Sequence, residues 1–143
     1  ESLFQKGDKE KAIAVLDKCM SEFPPEVVKL NYFSIPIIDL YYKLGEDNKG
    51  SEVLANMIEN NLTTIKYLKE FKNSRRLKQD IGITNQILSS LSRILQIHKI
   101  QDNTYTYFYE NNMYFREKND KKEKINFNTY IINTFMDEYL SLQ

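Results

Sequence analysis

Two stretches of this chain carry one pattern, and the repetition narrows the folds open to it. With Gly7 aligned on Gly45, Asp8 faces Glu46, Lys11 faces Lys49, Ala12 faces Gly50, Val15 faces Val53 and Leu16 faces Leu54. Cys19 and Met20 then face Met57 and Ile58. A glycine permits a sharp turn between two helices, a small residue five positions later lets them approach, and large apolar side chains fill the shared seam. With 3 Pro and 4 Gly in 143 residues, the chain has too few turn residues for a barrel or sandwich of short strands. The expectation is an all-α fold.

The apolar spacing outlines the helices. Ala12, Val15, Leu16, Cys19, Met20 and Phe23 form one run, with Asp8 as N-cap, Glu10 in the first turn and Pro24-Pro25 as the stop. Phe33, Ile37, Ile38, Tyr41 and Leu44 form the next, with Pro36 in its first turn and Gly45 closing it. Val53, Leu54, Met57, Ile58, Leu62, Ile65, Leu68 and Phe71 predict a helix over Lys49 to Lys72, spanning roughly 36 Å. Ile87, Leu88, Leu91, Ile94 and Leu95 predict another from near Leu77 to near Ile100, weakened at Gly82. Phe127, Tyr130, Ile131, Phe135, Tyr139 and Leu142 close the chain as an amphipathic helix.

Thr104 to Phe115 carries two signals. Tyr105, Tyr107 and Tyr109 alternate, and Glu110-Asn111-Asn112 suits a hairpin turn, whereas Tyr105, Phe108, Tyr109 and Phe115 also share a helical face. A lone hairpin is marginal in water and the neighbours are helical, so helix is the expectation here. Asn119 to Lys124 is expected to be a charged connection. About six helices result, in a single domain over 1-143, with paired helices in 1-75 and further packing helices in 76-143.

Tyr41-Tyr42-Lys43-Leu44-Gly45-Glu46, Gly7-Asp8-Lys9-Glu10-Lys11-Ala12-Ile13 and the closing Pro24 resemble the tetratricopeptide repeat. The resemblance implies a right-handed superhelix of α-hairpins, with a period longer here than the usual ~34 residues. Gly50 stands where the repeat usually has alanine, and Ile38 where its first helix usually has a small residue. A second resemblance rests on Lys11 to Met20, Phe23-Pro24-Pro25-Glu26, Asn31 to Ile37 and Tyr41 to Gly45. Over about residues 3–60 the chain is similar to the C-terminal soluble region of a family of large bacterial multi-spanning membrane proteins. Their membrane portion resembles glycosyltransferases that use lipid-linked sugars, including protein O-mannosyltransferases. The resemblance implies that this chain is a fragment of a longer protein, the tail of a bacterial inner-membrane protein, on the periplasmic side. Any catalytic residues would lie in the absent N-terminal part, and the fragment itself would not be an enzyme. Its opening at Glu1, inside helical pattern, fits that expectation.

Three binding roles follow as expectations. The first is a scaffolding module for a protein or peptide partner, the parent's own membrane domain or a second copy of the chain. By comparison with the repeat family, it would use Tyr32, Ile35, Asp39, Tyr42 and Lys43 on the concave face. The second is a carbohydrate- or acceptor-binding accessory built on the aromatics of 105-115, namely Tyr105, Tyr107, Phe108, Tyr109, Tyr114 and Phe115. The third is docking to an anionic surface through Lys66, Lys69, Lys72, Arg75, Arg76 and Lys78, a run opposed only by Glu70. Twenty basic and 20 acidic residues sum to zero net charge and argue against nucleic acid as partner. No stretch reaches the ~20 apolar residues of a membrane span. His98 suits a helix C-terminus rather than a metal site, and Cys19 is expected to be buried packing. No metal or cofactor is expected: there is no phosphate-binding glycine loop or nucleophile elbow.

Overall fold

The computed structural model describes residues 8–22, 34–70 and 75–141, with the backbone alone at 68, 69, 75–78, 80, 81, 140 and 141. Among the described residues are five helices, α1 (Asp8–Glu22), α2 (Ile35–Lys43), α3 (Asp47–Glu70), α4 (Arg75–Ile97) and α5 (Phe127–Ser141). Between the last two lie three strands, β1 (Thr106–Glu110), β2 (Met113–Lys118) and β3 (Lys121–Ile125). The expectation of an all-α fold is thereby corrected: the chain is mixed helix and sheet. It divides into two compact units, Glu1–Val53 and Leu54–Gln143.

In the first unit, α2 starts with Pro36 in its opening turn, where the missing N–H costs nothing. It ends in a Schellman turn: Glu46 N–H donates to Tyr41 O at 2.9 Å and Gly45 N–H to Tyr42 O at 3.1 Å. Gly45 has φ +80°, the left-handed value this motif requires. A polar network ties three helical segments together. Tyr41 Oη donates to Asp17 Oδ1 at 2.9 Å, and Lys49 Nζ to Asp17 Oδ2 at 2.7 Å. The seam expected along α1 is narrower than its sequence implies. Ala12 and Leu16 are buried, but Val15 is 61% exposed, whereas its aligned partner Val53 is buried. Cys19 is exposed as well, which corrects its expected burial. With 3.6 residues per turn, the Ala12–Leu16 line faces inward and Val15 and Cys19 fall to its flank. Gly7 lies outside the described residues.

In the second unit, the rest of α3 contributes Leu54, Met57, Ile58, Leu62 and Ile65 to the core, α4 contributes Leu88, Leu91 and Leu95, and α5 contributes Ile132 and Phe135. Ser89 Oγ meets Tyr139 Oη at 3.1 Å and Ser92 Oγ meets Met136 Sδ at 3.4 Å, so α5 runs antiparallel to α4. Helix α4 closes as α2 does, with Ile100 N–H donating to Leu95 O and Lys99 N–H to Gln96 O, and Lys99 at φ 51°. His98 lies at that end, its backbone N–H donating to Ile94 O at 3.1 Å. Asp102 then anchors the chain: its N–H donates to Asn133 Oδ1 on α5 at 2.6 Å, and its carboxylate accepts the N–H and hydroxyl of Thr104.

The sheet is an antiparallel meander in the order β1-β2-β3. Its two turns, Asn111-Asn112 and Asn119-Asp120, each have both central residues at positive φ, 51° then 62°. Those angles make type I′ turns, whose twist matches paired strands. Tyr109 pairs with Tyr114 and Phe108 with Phe115; across the second hairpin Tyr114 pairs with Ile125 and Arg116 with Glu123. The expected helix over 104–115 is instead strand at 106–110 and 113–115 around a turn, and the expected connection over 119–124 is a two-residue turn followed by β3. A third strand and the aromatic packing of β2 on α5, Tyr114 against Phe127 and Tyr130, remove the marginality of a lone hairpin. β1 and β3 are the edges; β3 carries Lys121, Lys122 and Lys124, and β1 carries no lysine. Helix α5 opens under a cap from Asn126, whose Oδ1 accepts the Thr129 N–H at 2.8 Å.

Candidate functional site

Four aromatic rings gather where β1, β2 and α5 meet. Tyr114 is their hub, with ring centroids 5.0 Å from Tyr109, 5.5 Å from Phe127 and 4.6 Å from Tyr130. The alternation of the strands makes this possible. Tyr109 and Tyr114 are register partners and so project from one face, and Phe127 and Tyr130 lie on one side of the first turn of α5. Glu59, Leu62, Thr63 and Lys66, on one face of α3, complete an open cleft of about 280 Å³ together with Ile131 and Glu138. Tyr109 is 53% exposed there, so an aromatic face meets solvent. Burial, and then the nearby Glu138 carboxylate, push the Tyr130 phenol above its ordinary range. The cleft therefore offers apolar ring faces, phenol and threonine hydroxyls, two carboxylates and one ammonium.

The remaining aromatics of 105–115 are engaged elsewhere. The Arg116 guanidinium lies 4.4 Å from the Tyr105 centroid and the Lys118 ammonium 5.5 Å from it. Arg116 also donates to Glu123 at 2.8 Å. The Tyr107 hydroxyl is buried beside Arg116, and burial raises its phenol. Phe108 and Phe115 stack on the opposite face of the sheet, 5.5 Å between centroids, with Lys122 4.3 Å from the Phe115 ring and paired to Glu110.

Of the residues expected on a concave partner face, Tyr32 lies outside the described residues. Ile35 is half-buried at the start of α2. Asp39 and Lys43 pair with each other at 2.9 Å. Tyr42 places its hydroxyl 2.7 Å from Ser51 Oγ and its ring over Gly50, and burial pushes its phenol up to about 12. In the basic run, Lys66 is exposed and lines the cleft. Lys69 on α3 and Arg75, Arg76 and Lys78 on α4 are described by backbone only, and Lys72 lies outside the described residues. Sequence reasoning missed Glu59, Leu62, Thr63, Phe127, Tyr130, Ile131 and Glu138 as site residues. The spacing of Phe127, Tyr130 and Ile131 marks a helix face, but nothing in it says which aromatics that face meets.

Among the described residues no group of His, Cys, Asp and Glu could hold a metal ion, and no helix is long and apolar enough to cross a membrane. Compared with protein families, with curated proteins and with solved structures, the chain matches none.

Proposed function

We propose that this chain is a non-catalytic binding module whose working surface is the aromatic cleft of the second unit, and that the cleft takes a saccharide or a saccharide-bearing acceptor. One observation carries the reading: Tyr109 presents an exposed ring beside Tyr114, Phe127 and Tyr130, within a cleft that also holds Glu59, Thr63 and Glu138. A sugar ring has apolar C–H faces and a hydroxyl rim, and such a cleft answers both. The role would be that of an accessory that presents acceptor to a catalyst, the role that the resemblance of residues 3–60 to the tail of glycosyltransferase-like membrane proteins implies. Partner-protein docking through α2 has less support, because Asp39, Lys43 and Tyr42 are already held by neighbours in their own unit.

The test is a titration of the protein with a panel of oligosaccharides, read by tyrosine fluorescence and NMR; the chain has no tryptophan to interfere. Tyr109→Ala is expected to weaken binding about tenfold, the scale of one lost aromatic contact, with thermal stability retained. Tyr105→Ala, outside the cleft, is expected to leave binding intact. Absence of binding by the wild type to every saccharide in the panel would refute the reading.

A further inference from the structure

The turn between β1 and β2 decides which backbone groups of β1 face out of the sheet. Only Asn111 and Asn112 separate the strands, so the flanking pair Glu110↔Met113 exchanges both of its N–H···O bonds. Alternation gives the same bonding to Phe108↔Phe115 and Thr106↔Glu117. The N–H and C=O of Tyr107 and Tyr109 therefore point outward from the edge. Among the described residues no backbone hydrogen bond reaches them from elsewhere in the chain.

These two outward residues flank Phe108, the middle of a five-residue strand. A second β1 laid antiparallel, Phe108 on Phe108, brings every outward group against another: Tyr107 of each copy exchanges bonds with Tyr109 of the other. A slip of one residue sets outward groups against inward ones, and a slip of two leaves strand ends unpaired. The charges suit the same register. Glu110, the only charged residue of β1, meets the hydroxyl of the second copy's Thr106, and the two Phe108 rings form a cross-strand pair. That pair extends the stack of Phe108 on Phe115, 5.5 Å between centroids, from one copy into the next. Strand β3 fails the comparison, because pairing with its own copy would set Lys122 against Lys124 and Glu123 against Glu123.

We infer that β1 is a dimer edge, on which a second copy of this chain adds its own β1 antiparallel, Tyr107 to Tyr109, so that the two meanders form one continuous sheet. The contact is two-fold and closed, and its small area makes dimerisation depend on concentration. It goes beyond the saccharide role and does not depend on it.

The experiment follows the whole chain from about 10 μM to about 1 mM by sedimentation velocity, with amide hydrogen exchange read by NMR across the same range. The expected result is a monomer–dimer equilibrium in which exchange at the Tyr107 and Tyr109 amides slows about tenfold or more as dimer forms. Thr106→Glu, at an exposed position, sets carboxylate against carboxylate on both sides of the axis and should weaken dimerisation about fivefold. Adding Glu110→Thr exchanges the two partners and should restore it, with circular dichroism confirming that both variants fold. A chain that stays monomeric throughout would overturn the inference. A dimer whose Tyr107 and Tyr109 amides stay unprotected would overturn it too, since the copies would then join by another surface. Mass that climbs without limit would overturn the closed pairing in favour of β1 on the next copy's β3. Failure of the exchanged variant to recover would overturn the register.

Discussion

Gly50 and Gly82 both sit inside helices, yet substitution should act on them in opposite directions. At Gly50 an added Cβ would lie 3.0 Å from Tyr42 Cε2 and 3.1 Å from Cδ2. The Tyr42 ring cannot easily retreat, because its hydroxyl is held by Ser51. At Gly82 an added Cβ meets nothing within 4 Å. Gly82→Ala should therefore raise stability by about 1 kcal/mol, the intrinsic helix gain, whereas in Gly50→Ala the overpacking, about 1–3 kcal/mol, should outweigh that gain. Urea unfolding of both variants measures the contrast. The sequence alone marks Gly50 as a departure from the small alanine usual at its place, and the structure supplies the cause, an aromatic ring laid flat on the helix. What the sequence leaves hidden at this scale is which residues of an apolar stripe are covered. Val15 and Val53 occupy matched positions in the repeat, and only Val53 is buried, because burial depends on the neighbours a helix meets and not on its own periodicity.

The helices were legible because their apolar runs are long and their ends carry chemical signals. The apolar run predicts α3 over Lys49 to Lys72 and the helix spans Asp47–Glu70, and α2 has its proline in the first turn and its glycine just past the end, as the sequence implies. The sheet was not legible, for a physical reason in each strand. The aromatics of β1 and β2 satisfy a helical and an alternating period at once. The turns are Asn-Asn and Asn-Asp, without the glycine that announces a type I′ turn, and β3 is Lys-Lys-Glu-Lys-Ile, with a single apolar residue to alternate. The turn chemistry is nonetheless specific. Asn111 at φ 51° tolerates that conformation as a β-branched residue does not. Asn111→Val should cost about 1–2 kcal/mol, and Asn111→Gly should stay within about 0.5 kcal/mol of wild type. Thermal melts with an NMR readout of the β1–β2 cross-strand contacts distinguish the two. The cleft was only half visible for a related reason: Tyr109 and Tyr114 were singled out from the aromatic run, but their companions come from α3 and α5, far away in sequence.

At the scale of the whole molecule, acid and alkali loosen the structure through different groups. The Lys49 hydrogen bond holds the Asp17 carboxyl below its usual range, and Thr104 does the same for Asp102. Their stabilisation is present above the unfolded carboxylate value near ~3.9 and is lost as pH falls through the lower folded values. Tyr41, Tyr42, Tyr107 and Tyr130 are shifted the other way, chiefly by burial. Their contribution is full below the ordinary phenol value near ~10 and is lost as pH rises toward the folded one, about 12 for Tyr42. The melting temperature should thus be level across neutral pH and fall below about 4 and above about 10. Spectrophotometric titration should show Tyr41, Tyr42, Tyr107 and Tyr130 ionising above the ordinary phenol range. A single steep step near the ordinary phenol value would contradict these burials.

The unequal borders of the meander have a consequence for the protein under stress. The lysines of β3 repel an incoming strand of the same kind, while the outer rim of β1, Thr106-Tyr107-Phe108-Tyr109-Glu110, has no such guard. Partly denatured copies should therefore grow into fibrils from the β1 side, and Thr106→Lys should lengthen the lag before thioflavin fluorescence rises. Charge added to β3 should leave that lag unaltered.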